Sequence, residues 1–366
     1  MESCLRKLAG LYLILAATAL TSLPTVAQAQ CGPRWLFGRA CNTCCDSCQG
    51  STGENVMAGT PAENYAANGE SPQFDLGEGA AAQSGDTLAV LDNPGGYIDS
   101  AIVGTQFRLR FDAAYNNPMP DRVEFFYAQC GILGGPGPPA IETSVDYQEI
   151  TPYLEYAFNS RFSVFIEAPF RAINPDVNAN ASGFSDLNVG FKYAFIACRD
   201  EYLTAQVRIY TPTGDPALGL GTGHVSIEPS ILYFRRFNEC WTLQAELRDW
   251  IPISDSVGPG GEPFAGNVLR YGAGLGYDLW SCCDGCTSKR LTPVAELVGW
   301  TILDGFGTDG NLGGVAVDQS GVTIVNAKFG ARYTVNEHSF YAGFGTALTG
   351  DAWYEDVFRI EYRQAF

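Results

Sequence analysis

The sequence contains no apolar run of the roughly eighteen residues that a membrane-crossing helix needs, which excludes helical insertion. Basic charge is scarce: 22 Lys and Arg face 40 Asp and Glu, a formal charge of −18, and no basic cluster follows the N-terminal segment. Nucleic acid is therefore excluded as a partner. Histidine occurs twice, at His224 and His338, which leaves little material for a hydrolase whose nucleophile needs a positioned imidazole. Charged residues make up 17% of the chain, and no block carries apolar residues at helical spacing.

What is present is glycine, 42 residues of it, an aromatic content of 13%, and a two-residue alternation that recurs to the last residue. From Glu355 to Phe366, Phe358, Ile360, Tyr362 and Phe366 fall on one face of an extended segment and Arg359, Glu361 and Arg363 on the other. Phe107, Leu109 and Phe111 oppose Arg108, Arg110 and Asp112 in the same way, and Trp241, Leu243, Ala245 and Leu247 oppose Thr242, Gln244, Glu246 and Arg248. The charged face is too rich for a protein core, so the apolar face is expected to meet lipid and the charged face a lumen. A soluble two-sheet sandwich is the competing architecture. Against it stand segments of about ten residues, the length a tilted membrane strand requires, and an export signal.

That signal comprises Arg6 and Lys7, an apolar run from Leu8 to Leu20, and Ala27-Gln28-Ala29 as a cleavage pattern. The expected organisation is a signal peptide over 1–29, a Cys-rich periplasmic segment over 30–50, a flexible tether over 51–101, poor in apolar runs, and an outer-membrane barrel over 102–366. The fold expected is an all-β, antiparallel, up-and-down transmembrane barrel of about twelve strands, fourteen at most, with the first near 104–114 and the stretch 122–129 in a loop or the lumen. Short turns at 159–160, 198–201, 238–240, 281–290 and 336–338 take turns with longer loops near 171–183, 212–223, 252–266, 303–320 and 349–354. The trimmed end is expected to face the periplasm of a diderm bacterium. Outer-membrane lipid and the barrel-assembly machinery are the partners this implies, with Phe358, Ile360, Tyr362 and Phe366 as the assembly signal, although Gln364 replaces the aromatic often found there.

The stretch Gly183-Phe-Ser-Asp186-Leu-Asn-Val-Gly190-Phe-Lys-Tyr193, followed by Pro212-Thr213-Gly214-Asp215 and Gly221-Thr-Gly223, resembles the outer-membrane family named for the MetA pathway of phenol degradation. The resemblance runs from about Asp146 to the end and leaves out the cysteine-rich segment. It implies a barrel that passes small molecules, aromatic and other apolar compounds among them.

Alternation places Arg108, Arg110, Lys192, Arg208, Arg248, Arg270, Lys328, Arg332, Arg359 and Arg363 inward, against Asp112, Glu149, Glu155, Glu167, Asp186, Glu228, Glu246, Asp278, Glu296 and Glu361. Such a balance predicts cross-lumen ion pairs in place of a ring of one sign. Arg108, Arg110, Glu246, Arg248, Arg270, Arg359, Glu361 and Arg363 are the candidate constriction of a small-solute channel; a scaffold barrel with an occluded lumen is the alternative.

Export favours disulfides. Cys198, Cys240, Cys282, Cys283 and Cys286 fall at turns on the same side as Cys31, Cys41, Cys44, Cys45 and Cys48, which predicts an N-terminal segment stapled to the rim, with Cys130 left over. Thiolate zinc binding through Cys41-x-x-Cys44 and Cys45-x-x-Cys48, and cross-links to other envelope proteins, stay open. No cofactor is expected. His224 and Ser226 share a face, as an esterase would need, but two-residue spacing recurs on any strand. Loop acids Asp255, Asp304, Asp309 and Asp318 read as solvated, and Trp241, Trp250, Trp280, Trp300 and Trp353 as an interface belt from which alternation turns Trp250 and Trp280 inward.

Overall fold

The computed structural model describes residues 87–366 apart from 255, 285 and 286. The segments expected to be a signal peptide, a Cys-rich periplasmic stretch and the first part of a tether lie outside the described residues.

The extended segments are β1 (Gln106–Pro118), β2 (Ser144–Ala157), β3 (Phe162–Glu167), β4 (Phe170–Pro175), β5 (Ala181–Phe184), β6 (Asn188–Cys198), β7 (Glu201–Tyr210), β8 (Ser226–Arg236), β9 (Trp241–Pro252), β10 (Val268–Tyr277), β11 (Trp280–Asp284), β12 (Thr287–Ile302), β13 (Phe306–Asp309), β14 (Val315–Asp318), β15 (Thr323–Val335), β16 (His338–Ala347) and β17 (Asp356–Ala365). All but β13 and β14 belong to one antiparallel sheet. Three of its strands are each broken once, as β3 with β4, β5 with β6, and β10 with β11, so twelve strands span it. β1 pairs with both β2 and β17, which closes the sheet into a barrel and leaves no free edge. The seam is charged: Arg110 stands opposite Glu361 and Asp112 opposite Arg359. Arg359 donates to both carboxylate oxygens of Asp112, at 2.6 and 2.8 Å.

The alternation read from the sequence is the alternation of burial. Along β17, Ile360 is 62% exposed while Glu361 and Arg363 are each 1% exposed. Leu154, Phe191, Leu247, Leu297 and Phe329 repeat the outward pattern on other strands. An apolar side chain of this size gains about 1.5–3 kcal/mol on leaving water, so a whole barrel surface of them calls for hydrocarbon. The second apolar layer that a soluble sandwich would supply is absent among the described residues. Pro229, in the body of β8, has no N–H to give, and the β8–β9 ladder accordingly skips from Ile227 to Ser230.

Connections at the end where β1 begins are short, at 158–161, 199–200, 237–240 and 336–337, with β11 and β12 joined there as well. At the opposite end they are longer, at 119–143, 176–180, 211–225, 253–267, 303–322 and 348–355. Two expected connections are mostly strand: β4 and β5 occupy much of 171–183, and β11 and β12 much of 281–290. The stretch 122–129 does not span; it lies in the 119–143 loop, which folds into the barrel mouth with Val123, Tyr127 and Ala128 buried.

Candidate functional site

The lumen is occupied by the chain's own N-terminal side. Residues 90–105, whose first part was expected to belong to a flexible tether, form a buried strap that climbs from the short-turn end to the middle of the barrel and returns to start β1. At its base Val90, Leu91, Ile102 and Val103 pack on Leu232 and Phe234. At its apex the backbone itself is gripped. Glu296 accepts hydrogen bonds from the N–H groups of Gly96, Tyr97 and Ile98 at 3.0 to 3.3 Å. Arg332 donates to the carbonyls of Pro94 and Gly95, Arg363 to Asn93 and Gly95, Arg359 to Gly96 and Arg270 to Tyr97. Glycine is required at Gly96, where a Cβ would stand 2.2 Å from the ring of Tyr341. The Tyr97 ring is sandwiched between Lys328 Nζ at 4.1 Å and the Arg359 guanidinium at 4.2 Å.

All twenty inward charges read from the sequence are buried or half-buried, and seventeen of them form ion pairs in the lumen; Lys328 instead donates to the Tyr354 hydroxyl, and Asp186 and Glu296 accept from backbone N–H groups. Arg108 bonds Glu167 at 2.9 Å, Lys192 bonds Glu155 at 3.0 Å, and Arg332 and Arg363 share Glu361 at 2.7 and 2.5 Å. Arg248 bonds Glu246 and reaches Glu228 at 3.1 Å. Seven of the eight candidate constriction residues lie in contact with the strap or with its direct partners; Arg110 instead bridges Asp112 and Glu149 at 3.0 and 3.4 Å. The residue missing from the sequence reading is Asp99, which stood in the tether. Its carboxylate meets Arg208 and Arg248 at 2.8 Å each and Arg108 at 3.9 Å.

Above the strap a cavity of about 240 Å³ opens toward the long loops. Its floor is Gly96, Tyr97 and Asp99, and its walls include Trp250, Trp300 and Trp353. Trp300 and Trp353 are thus not belt residues; both are 4% exposed and join Trp250 inside, whereas Trp241 stays on the outer surface. The 119–143 loop roofs part of the cavity. Phe125 packs between the Trp250 and Trp353 rings, Arg122 donates to Asp351 and the Ala352 carbonyl, and Asp121 accepts from the Thr308 N–H at 3.0 Å. Burial raises the Asp121 carboxyl to about 6, against the opposing pull of the Thr308 hydrogen bonds.

The glycine-rich motif builds a clamp for the 211–225 loop. Asp186 accepts from Gly214 N at 3.0 Å and from Thr222 N and Oγ1 at 2.9 and 3.1 Å. A Cβ at Gly221 would stand 2.5 Å from Asp186 Oδ1, and one at Gly214 equally close to the Leu220 carbonyl. Thr213 accepts from Leu187 N, and Asp215 caps the turn that follows Pro216. Gly190 lies against the Val207 carbonyl and Phe165, and Gly183 against Leu220.

Ser226 Oγ lies 3.3 Å from His224 Nδ1, and His224 Nε2 lies 3.8 Å from Glu124, a residue the sequence reading did not connect with them. The acid is already engaged: it accepts from Ser256 Oγ at 2.6 Å and from the Ser256 and Gln129 N–H groups. Its role here is to hold the 119–143 loop to the 253–267 loop.

Among the cysteines, Cys282 is disulfide-bonded. Cys198 and Cys283, expected in disulfides, carry free thiols, and Cys130 is a free, buried thiol in the 119–143 loop. Cys31, Cys41, Cys44, Cys45, Cys48 and Cys286 lie outside the described residues. No group of three or more metal-ligating side chains occurs among the described residues. Asp318 caps Ser320, and Asp304 accepts from Asn267 N.

No family model and no curated protein matches the chain. The chain folds as a closed antiparallel β-barrel of twelve strands. Solved barrels similar to it include an outer membrane channel from Pseudomonas putida F1, 15% identical, with a TM-score of 0.47 over 74% of this chain and 99% of that one. The NanC porin is 8% identical, with a TM-score of 0.41 over 70% and 100% of the two chains. A KdgM porin solved in complex with disordered oligogalacturonate is 7% identical, with a TM-score of 0.36 over 71% and 99%.

Proposed function

We propose that the barrel lies in the outer membrane of a diderm bacterium, with the short-turn end and the N-terminal side in the periplasm, and that it passes small solutes when the strap withdraws. The observation that carries this reading is the cavity: it descends from the long-loop end and stops on the strap, not on a wall of the barrel. The strap apex is held by hydrogen bonds and ion pairs that water and solute can replace, which is how a removable plug would be held. Aromatic walls formed by Trp250, Trp300 and Trp353 suit the aromatic solutes that the family resemblance implies. The candidate constriction residues are those that grip or flank the strap apex.

A scaffold barrel with a permanently filled lumen is the second reading, and the density of buried ion pairs around the strap favours it. Planar-bilayer conductance and liposome swelling separate the two. The channel reading expects rare, small openings in the intact protein and larger ones when strap contacts are weakened. Absence of current and of solute flux in both establishes the scaffold. Stapling of the Cys-rich segment to the rim through Cys282 belongs to the same proposal; a change in non-reducing gel mobility on Cys282→Ser tests it.

A further inference from the structure

We infer that the strap's Asp99 occupies a binding site for a small carboxylate, and that such an anion entering from the long-loop end competes with the strap for it. This rests on the channel reading above and names its solute class. Four observations carry it.

The strap brings acceptors to seven arginines. Asp99 serves Arg108, Arg208 and Arg248, and the carbonyls from Asn93 to Tyr97 serve Arg270, Arg332, Arg359 and Arg363. In return it donates backbone N–H groups to Glu296 and Glu246.

The arginines depend on it unequally. Without Asp99, Arg248 keeps Glu246 and Glu228, and Arg108 keeps Glu167. Arg208 would be left with Glu167 at 3.6 Å and Glu228 at 3.5 Å, both beyond good hydrogen-bond length, and its Nε already has no partner. A buried guanidinium stripped of its carboxylate is strongly unfavourable, so strap withdrawal calls for a replacement anion.

The replacement has a way in. Asp99, Arg108, Arg208 and Arg248 all line the 240 Å³ cavity that opens toward the long loops. That space equals about eight water volumes, room for a small solute.

The cavity also has unspent donors. The indole N–H groups of Trp300 and Trp353, both in its wall, are buried without a partner. They suit a solute that carries a second hydrogen-bond acceptor beyond its carboxylate, such as a hydroxyl or carbonyl oxygen.

The test uses the full-length protein in planar bilayers, with chloride and acetate as the anions. Asp99→Asn is expected to open more often and to turn anion-selective by reversal potential, with acetate reducing the chloride current; Asp99→Glu is expected to behave as wild type. Heat-modifiable gel migration checks that each variant folds. The wild-type protein supplies an arm that needs no variant: hydrogen exchange of the Gly96–Asp99 amides should be roughly tenfold faster in acetate than in chloride at equal ionic strength, as a ligand that binds only the released state requires. Equal exchange in the two salts, or Asp99→Asn currents without anion preference or acetate response, overturns the carboxylate site while leaving a channel. Acetate-sensitive exchange in a barrel that never conducts keeps the site and removes the channel.

Discussion

Glu296→Gln is the perturbation that separates strap from barrel most cleanly. The carboxylate accepts from three consecutive backbone N–H groups, Gly96, Tyr97 and Ile98. Bonds to a charged acceptor contribute about 1.5–3 kcal/mol each and neutral ones about 0.5–1.5, so each bond the amide oxygen keeps weakens by about 1 kcal/mol, while the N–H left facing the amide NH2 loses its acceptor outright. Together these cost at least about 3 kcal/mol, roughly a hundredfold or greater increase in the strap-released population. Glu296 projects from the middle of β12, whose ladders to β10 and β15 are made by backbone groups that the substitution does not touch. Amide hydrogen exchange in detergent therefore reads two numbers at once. Protection of Gly96 to Ile98 should fall by about two orders of magnitude while β12 and β15 amides keep theirs. Unchanged protection in the strap would refute the reasoning, and so would a matching loss in the strands, which would mean that strap and barrel open as one unit.

Gly96→Ala places a Cβ into the Tyr341 ring, so limited proteolysis should cut within 87–105 while the barrel still shows heat-modifiable migration; resistance equal to wild type contradicts the fit. Asp121, raised to about 6, holds its proton more tightly when the 119–143 loop is docked than when it is free, near 3.8. Docking is then strongest below about pH 4, weakens by about 3 kcal/mol as the pH rises through 6, and is level again above about pH 7. Exchange in the 119–143 loop should be faster at pH 7 than at pH 4.5 after correction for intrinsic rates, and Asp121→Asn should flatten the difference. Ser226→Ala should leave ester and phospholipid turnover at the wild-type level, since Glu124 is committed to Ser256; a measurable activity lost with the hydroxyl would make the barrel an enzyme.

The barrel was legible in the sequence because period-two alternation reports a local rule: each strand residue answers to the surface beside it, and Phe358, Arg359, Ile360 and Glu361 announce both surfaces in four positions. The inward charge set followed from the same parity, and the trimmed and decorated ends of the barrel followed from the alternation of short turns with long loops. The strap was not legible. Asn93-Pro94-Gly95-Gly96 has a linker's composition, and its order comes from Glu296, Arg332, Arg359 and Arg363, some two hundred positions or more away in the chain. Asp99 was hidden for the same reason, since a lone acid in a polar stretch carries no local sign of three arginines. Trp300 was misread as a belt residue although it shares parity with Glu296 on β12, so attention to register would have turned it inward. Trp353 lies in the 348–355 loop, where no periodicity applies.

The account depends on hydrocarbon touching one face of every strand and a filled polar lumen touching the other. Nitroxide labels placed one at a time along β17, from 357 to 364, in liposomes and with the free cysteines replaced, test this most directly. Collisions with membrane-dissolved oxygen should peak at positions 358 and 360, while 359, 361 and 363 should be shielded from both oxygen and a water-soluble nickel chelate. Chelate access at 358 and 360, or accessibility with no two-residue period, would contradict it.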